Sequence, residues 1–210
     1  MPATSFKMRA VIVCNGEIRS HSGLKELLKP DDFIIAADGG AMHLERLGLE
    51  PKAVIGDMDS IKDHHKEQFK EQLIVHEGQE HNDAEKALHL ALKMGFDDII
   101  FVGFEGSRLD HLLATVMLLK EYHDKELSLL THDYKAKVIK NKIKLNAKKG
   151  DRVSLIPLTD SVKGITTKGL HHPLINAQLD SSTHGISNIA SENKVSIKVD
   201  EGSLLLMHWF

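Results

Sequence analysis

Val54-Ile55-Gly56-Asp57-Met58-Asp59-Ser60 is a short β-branched run that reaches a glycine and then presents two carboxylates two positions apart. An extended backbone points residues i and i+2 to the same side, so Asp57 and Asp59 are expected to converge on one cation. The arrangement suits Mg²⁺, a hard ion usually held by one or two carboxylates while substrate phosphates and water complete its octahedron. Two carboxylates this close repel unless something positive lies between them. An isolated Asp-x-Asp is often no more than a polar turn; the flanking sequence argues for more.

On both sides the same pattern recurs. Ala10 to Val13 is an apolar run that stops at Asn15-Gly16, Phe33 to Ala37 stops at Asp38-Gly39-Gly40, and Asp98 to Val102 runs into Gly103-Phe104-Glu105-Gly106-Ser107-Arg108. Such runs read as strands buried on both faces. Helical spacing fills the gaps: Leu24, Leu27 and Leu28 after a capping Ser22, then Ala41 to Leu47 closed by Gly48, then an exposed helix within Ile61 to Gln72 before a weak strand at Leu73 to Val75. Asn82 with Glu85 opens a helix in the manner of a capping box, with Ala84, Ala87, Leu88, Ala91 and Leu92 as its apolar face. After Arg108 a further helix is expected to bury Leu109, Leu112, Leu113, Val116 and Leu119, and Leu127 to Leu130 is a last strand. Strands alternating with helices predict a doubly wound, mostly parallel sheet over residues 1–133 with helices on both faces. Its four chemistry-bearing strand ends fall at the carboxyl edge, where open α/β sheets bind ligands.

From Tyr134 the helical period disappears. Ile143 and Leu145 alternate with lysines, Val153 to Leu158 is strand-like, and Val195, Ile197 and Val199 alternate before Asp200-Glu201-Gly202 and Ser203-Leu204-Leu205-Leu206-Met207. The last two runs read as a hairpin. Residues 134–210 are expected to form a second domain, an antiparallel β-sandwich.

With 210 residues, 41% hydrophobic and 27% charged, the composition is that of a globular protein with a proper core. A net charge of −3, with Lys and Arg dispersed, argues against a nucleic-acid or membrane-surface partner. Cys14 is the single cysteine, so an internal disulfide and a Cys-pair zinc site are excluded. Met1 to Arg9 is too short for a signal-peptide core, and no segment approaches a membrane span. The expected setting is cytoplasmic.

Among the remaining motifs, Asp38-Gly39-Gly40 puts an acid and two side-chain-free residues at a strand end, where a ligand could approach the backbone. Asp83 lies in a helical first turn, which favours a carboxylate whatever its function. Lys86, on the same turn, reads either as a phosphate ligand or as an ordinary solvated lysine. Gly103-x-x-Gly106-Ser107-Arg108-Leu109-Asp110-His111 offers amides and a helix start to an anion, with Arg108 for phosphate oxygens; Asp110 reads equally as a ligand or as an ion-pair partner of Arg108. The chain has no Walker A loop, Gly-x-Gly-x-x-Gly fingerprint, His-Glu-x-x-His or Gly-x-Ser-x-Gly elbow.

Taken in order, Ala37 to Ala41, Gly56 to Ile61, Asn82 to Leu88, Ser107 to His111 and Gly185-Ile186-Ser187-Asn188 resemble the thiamin pyrophosphokinase family across nearly the whole chain. The resemblance implies an N-terminal α/β domain, a C-terminal β-sandwich, and a homodimer with active sites at the subunit interface. It also implies transfer of pyrophosphate from ATP to the hydroxyl of thiamin, leaving AMP. By residue, it implies Mg²⁺ at Asp57, Asp59 and Asp83, with Asp38 nearby. Nucleotide contacts would come from Asp38, Gly39, Glu80, Asn82, Lys86, Gly103, Gly106, Ser107 and Arg108. Asp110 would help position the substrates, and Ser187 and Asn188 would meet thiamin, with His172 or Trp209 as the stacking aromatic. The chain departs from the family pattern in Glu80-His81-Asn82-Asp83, in place of Asp-x-Thr-Asp, and at Ser107, Met42 and Thr115. Two rival readings are a pyrophosphokinase for another hydroxymethyl heterocycle such as a pterin, and a thiamin- or nucleotide-binding module without turnover.

Overall fold

The computed structural model describes residues 8–76, 78–180 and 183–210; the leader reading of Met1 to Arg9 rests mainly on residues outside these. The chain divides into two compact units, one made of residues up to Leu118 with Asp124–His132, the other of Leu119–His123 with Asp133–Phe210.

In the first unit β1 (Ala10–Val13), α1 (His21–Leu27), β2 (Phe33–Ala37), α2 (Ala41–Leu47), β3 (Ala53–Gly56), α3 (Asp63–Gln68), β4 (Leu73–Val75), α4 (Asp83–Lys93), β5 (Asp98–Val102), α5 (Leu109–Glu121) and β6 (Glu126–Leu130) follow one another. Its strands pair in parallel in the order β6-β5-β1-β2-β3-β4. The jump from β4 to β5 across the sheet is what makes it doubly wound, and it opens a crevice beyond the carboxyl ends of β1 and its neighbours. Alternation sets the two faces. Val11, Val13, Ala36 and Val54 pack with Leu24 of α1 and Leu44 and Leu47 of α2, while α4, with Ala87, Leu88 and Ala91 fully buried, covers β2 and β3.

Local chemistry accounts for the helix ends. Asn82 Oδ1 accepts the Glu85 amide at 2.9 Å to cap α4, and Gly48, at φ 63°, ends α2 in the left-handed conformation. At α1 the cap is Ser20, whose side chain accepts the Gly23 amide, one residue pair earlier than the expected Ser22; Ser22 instead lies inside the first turn. α5 differs more. Leu109, Leu113 and Met117 are 63%, 50% and 49% exposed, whereas Thr115, Leu118 and Leu119 are buried. The helix therefore buries Leu119, and half-buries Leu112 and Val116, as the leucine spacing suggested, but turns Leu109 and Leu113 outward and Thr115 inward.

Gly40 sits where the chain doubles back over β1. A Cβ built there would lie 1.9 Å from the carbonyl oxygen of Val13, a backbone atom held in the parallel sheet. Gly40→Ala is therefore expected to destabilise the protein by about 1–3 kcal/mol or more, read as a lowered urea midpoint with an unchanged denaturant slope. At Gly39 a Cβ would meet the Asn15 side chain at 2.4 Å. Both glycines are thus required for close packing at the strand ends.

The second unit contains β7 (Tyr134–Ile139), β8 (Lys142–Asn146), β9 (Arg152–Pro157), β10 (Ser161–Lys168), β11 (Ala177–Asp180), β12 (Asn188–Ile189), β13 (Lys194–Lys198) and β14 (Leu204–Trp209). They form two antiparallel sheets, β12-β9-β14-β7 and β11-β10-β13-β8. Val153, Leu155, Leu204 and Leu206 from the first meet Val162, Ile165, Val195 and Ile197 from the second in one core, which makes the unit a sandwich. β13 and β14 are not the hairpin that their spacing suggested: β13 pairs with β8 and β10, β14 with β7 and β9. The segment between them crosses from one layer to the other, anchored by the buried Val199 and by Gly202 at φ 85°.

Candidate active site

The carboxyl ends of β1, β2 and β5 and the start of α4 enclose a cleft of about 230 Å³ in the first unit, lined among others by Asn15, Asp38, Ser60, Asn82, Asp83 and Arg108. The loops after β1 and β5 are tied together at its rim by the Gly16 amide to the Gly103 carbonyl, 2.7 Å, and the Glu17 amide to the Glu105 carbonyl, 2.6 Å. Those carbonyls are therefore already engaged.

Asp57 and Asp59 do converge, but not through an extended strand. β3 ends at Gly56, and Met58 between the two acids is left-handed, φ 65°, with its side chain buried in the core. This anchor turns both carboxylates outward, and the Asp59 amide donates to Asp57 Oδ1 at 3.2 Å. That bond outweighs the opposing effect of slight burial and holds the Asp57 carboxyl below its ordinary pKa. Asp38, also left-handed at φ 44°, supplies a third carboxylate: oxygens of Asp38, Asp57 and Asp59 lie within 4.8 Å of one another.

Asp38 is only 2% exposed. Its Oδ2 accepts the Ser60 amide at 3.2 Å, while its Oδ1 is buried without a hydrogen-bond partner. Burial raises its pKa, Asp83 and Asp59 push the same way, and hydrogen bonding with Ser60 and the Gly39 backbone offsets part of the rise. A buried acid with a bare oxygen beside two other acids fits a divalent cation, since the cation would supply both the missing partner and the missing charge.

Asp83, expected among the metal ligands, borders this group rather than joining it. Its Oδ1 would lie 3.2 Å from a Cβ on Gly56, yet it accepts from Lys86 Nζ at 3.0 Å. Lys86 is 5% exposed, so it is not an ordinary solvated lysine; its charge is held against Asp83 and also depresses the Asp57 pKa. Arg108 binds Asp110 through two bonds, Nε to Oδ1 at 3.0 Å and Nη2 to Oδ2 at 2.7 Å, on the open surface. This pairing raises the Arg108 pKa and lowers that of Asp110. An exposed pair of this kind exchanges readily for a phosphate. Gly106, at φ 136°, Ser107 and Glu80 are exposed.

Several residues to which the sequence assigned no contact also lie here. Ser60 donates through Oγ to Asp59 Oδ1 at 2.9 Å, Gln79 Nε2 reaches Asp57 Oδ2 at 3.5 Å, and His111 and Thr115 line the cleft. Ser60 had a signal as the hydroxyl that follows the acid pair, and Thr115 as a departure from the family pattern. Cys14 also lines the cleft, its thiol pushed up to about 12 chiefly by burial, which leaves it unreactive at neutral pH.

In the second unit, a cleft of about 330 Å³ is lined by Leu170, His172, Leu174, Gly185, Ile186 and Asn188, among others. Asn188 closes a two-way bridge to His172, accepting its amide at 3.1 Å and donating to its carbonyl at 2.7 Å. Ser187, left-handed at φ 59°, donates its amide to Ser154 Oγ. Trp209 packs against Tyr134, with ring centroids 5.4 Å apart, so of the two aromatic candidates His172 is the one lining this cleft.

The family model described as "Thiamin pyrophosphokinase, catalytic domain" matches residues 24–131, and "Thiamin pyrophosphokinase, vitamin B1 binding domain" matches residues 140–204. The thiamine pyrophosphokinase of Bacillus subtilis is 25% identical over 182 residues, covering 82% of this chain and 85% of its own. A crystal structure of thiamin pyrophosphokinase from Geobacillus thermodenitrificans superposes with a TM-score of 0.87 at 25% identity, over 97% of this chain and 98% of that one. The Candida albicans enzyme, at 17% identity, shares the fold with a TM-score of 0.84 over 97% and 89% of the two chains. Among the described residues no helix is long and apolar enough to cross a membrane. With the catalytic model alone spanning more than half of the chain, and the vitamin-binding model following it in order, the chain belongs to the thiamin pyrophosphokinase family.

Proposed function

We propose that the chain transfers the terminal pyrophosphoryl group of ATP to the hydroxyl of thiamin, giving thiamin diphosphate and AMP. The observation that carries this reading is the convergence of Asp38, Asp57 and Asp59, with a bare buried oxygen on Asp38, in a chain of this family. Mg²⁺ would be held by Asp57 and Asp59, with Asp38 and Asp83 completing the acidic wall; it would neutralise the phosphate charge that builds up as the bond to AMP breaks.

The chain's own residues orient and shield. Arg108 exchanges Asp110 for phosphate oxygens, and Lys86, fixed by Asp83, supplies a buried positive charge beside the acids. The thiamin oxygen forms its bond to the β-phosphorus as the bond from that phosphorus to the AMP oxygen breaks. AMP leaves with the electron pair, and the hydroxyl proton passes to solvent. Such transfers need positioning and charge neutralisation more than covalent help. The cleft at His172 and Asn188 is assigned to thiamin, with Ser187 and Asn188 shaping its wall. A homodimer with active sites at the subunit interface belongs to the same reading, supported by the exposed apolar row Leu109, Leu113 and Met117 on α5. A cytoplasmic setting is supported by a lone, buried thiol.

The test is AMP release from ATP in Mg²⁺ with and without thiamin. AMP formed only with thiamin is expected. ADP would indicate a simple kinase, AMP formed instead with a hydroxymethyl pterin would name another acceptor, and thiamin binding without turnover would leave a binding module.

A further inference from the structure

A second group of ligating side chains lies away from the acidic centre, between α2 and α3. Glu45 of α2 and His64 and His65 of α3 each bring one ligand atom within 4.8 Å of the other two. His65 Nε2 lies 2.8 Å from Glu45 Oε2, and the two imidazole rings overlap, with centroids 3.9 Å apart. The His65 side chain is only 4% exposed, and its Nδ1 is buried without any hydrogen-bond partner. A buried imidazole normally has both nitrogens engaged, so the Glu45 contact leaves His65 half satisfied. Glu45 and His64 are exposed, which gives an ion from solvent a way in.

The geometry points to a transition-metal site, of Zn²⁺ class, formed by Glu45, His64 and His65. Two imidazoles and one carboxylate match the ligand preference of this borderline ion and not that of Mg²⁺, which prefers oxygen donors throughout. Three protein ligands leave a fourth position for water. The placement gives the site a consequence. α2 starts directly after Asp38–Gly40 and α3 four residues after Asp59, so an ion here would clamp together the two helices whose leading segments carry the acidic centre. Bound metal is expected to raise the melting temperature, because it binds the folded chain alone.

The test uses the full-length chain freed of metal by a chelator. Because the acidic centre could also take Zn²⁺, binding is measured in a variant carrying Asp57→Asn and Asp59→Asn, by competition with a chromophoric chelator. One equivalent is expected to bind, and Co²⁺ is expected to show the visible absorption of a nitrogen-ligated four-coordinate ion. Adding His64→Ala or Glu45→Gln, both at exposed positions, is expected to weaken Zn²⁺ binding at least about tenfold and to remove the thermal shift, with circular dichroism unchanged. Zn²⁺ binding that survives both changes, or no binding at millimolar Zn²⁺, overturns the site and leaves Glu45 and His65 as an ion pair only.

Discussion

Thiamin-dependent AMP release falls by on the order of 10³-fold when Asp57 and Asp59 are both replaced by asparagine, while the folded state stays within about 1 kcal/mol of the native chain. The two outcomes separate because the acids and the turn that carries them depend on different things. The turn is fixed by Met58, whose side chain is buried in the core while its backbone is left-handed, and by the Asp59 amide bonded to Asp57 Oδ1. Asparagine keeps an acceptor oxygen at position 57 and tolerates turn geometry, so the scaffold survives. What disappears is negative charge: of the three converging carboxylates only the buried one at Asp38 remains. Alanine at both positions removes the turn bond as well and is expected to lose more stability for the same loss of activity. Mg²⁺ titrations followed by AMP release, beside urea melts of each variant, check both halves. Near-native turnover in the asparagine variant would remove these acids from the mechanism.

The success and the limits of reading this site from sequence have the same origin. Strand ends were legible because a buried parallel strand is a short apolar run that must stop somewhere, and Asn15-Gly16, Asp38-Gly39-Gly40 and Gly103 mark the stops plainly. That placed the cleft. The means by which Asp57 and Asp59 converge was not legible, since a left-handed methionine has no signature in composition; its cause is the core pocket that Met58 fills. Lys86 read either as a phosphate ligand or as a solvated lysine because local spacing reveals neither its burial nor its ion pair with Asp83. The run from Lys194 to Met207 read as a hairpin because both segments alternate and a glycine lies between them, yet partner choice in a sandwich is set by long-range pairing with β8 and β7. Leu109 and Leu113 were assigned to the core on periodicity alone. Periodicity names an apolar stripe and leaves open what covers it. On α5 Leu109 and Leu113 face outward while Leu119, on the same expected stripe, is buried.

Asp38→Asn carries the second large effect, and its sign differs between activity and stability. The Asp38 carboxyl has its pKa raised above the ordinary 3.8, first by burial and then by Asp83 and Asp59, against hydrogen bonding with Ser60 and the Gly39 backbone. An acid whose pKa is higher folded than unfolded binds its proton more tightly in the folded chain. Its contribution to stability is therefore fully present below pH 3.8 and is lost as pH rises through the raised value. At neutral pH, without a cation, the ionised Asp38 weakens the fold. Asparagine keeps an acceptor for the Ser60 amide and removes the charge, so the metal-free variant should melt higher than the native chain at pH 7, by roughly 2–4 °C for each kcal/mol gained. The advantage should shrink as pH falls through the raised value, where the native carboxyl regains its proton. Activity should move the other way, by about 10²–10³-fold, and added Mg²⁺ should stabilise the variant less than the native chain. Calorimetry in a chelator at pH 4 and pH 7, repeated at pH 7 with Mg²⁺, measures each of these. A variant that melts lower than the native chain at pH 7 in the chelator would mean that Asp38 is held by a partner other than a cation. Strain of this kind, kept at a ligand site and relieved when the ligand binds, is the usual trade of stability for activity.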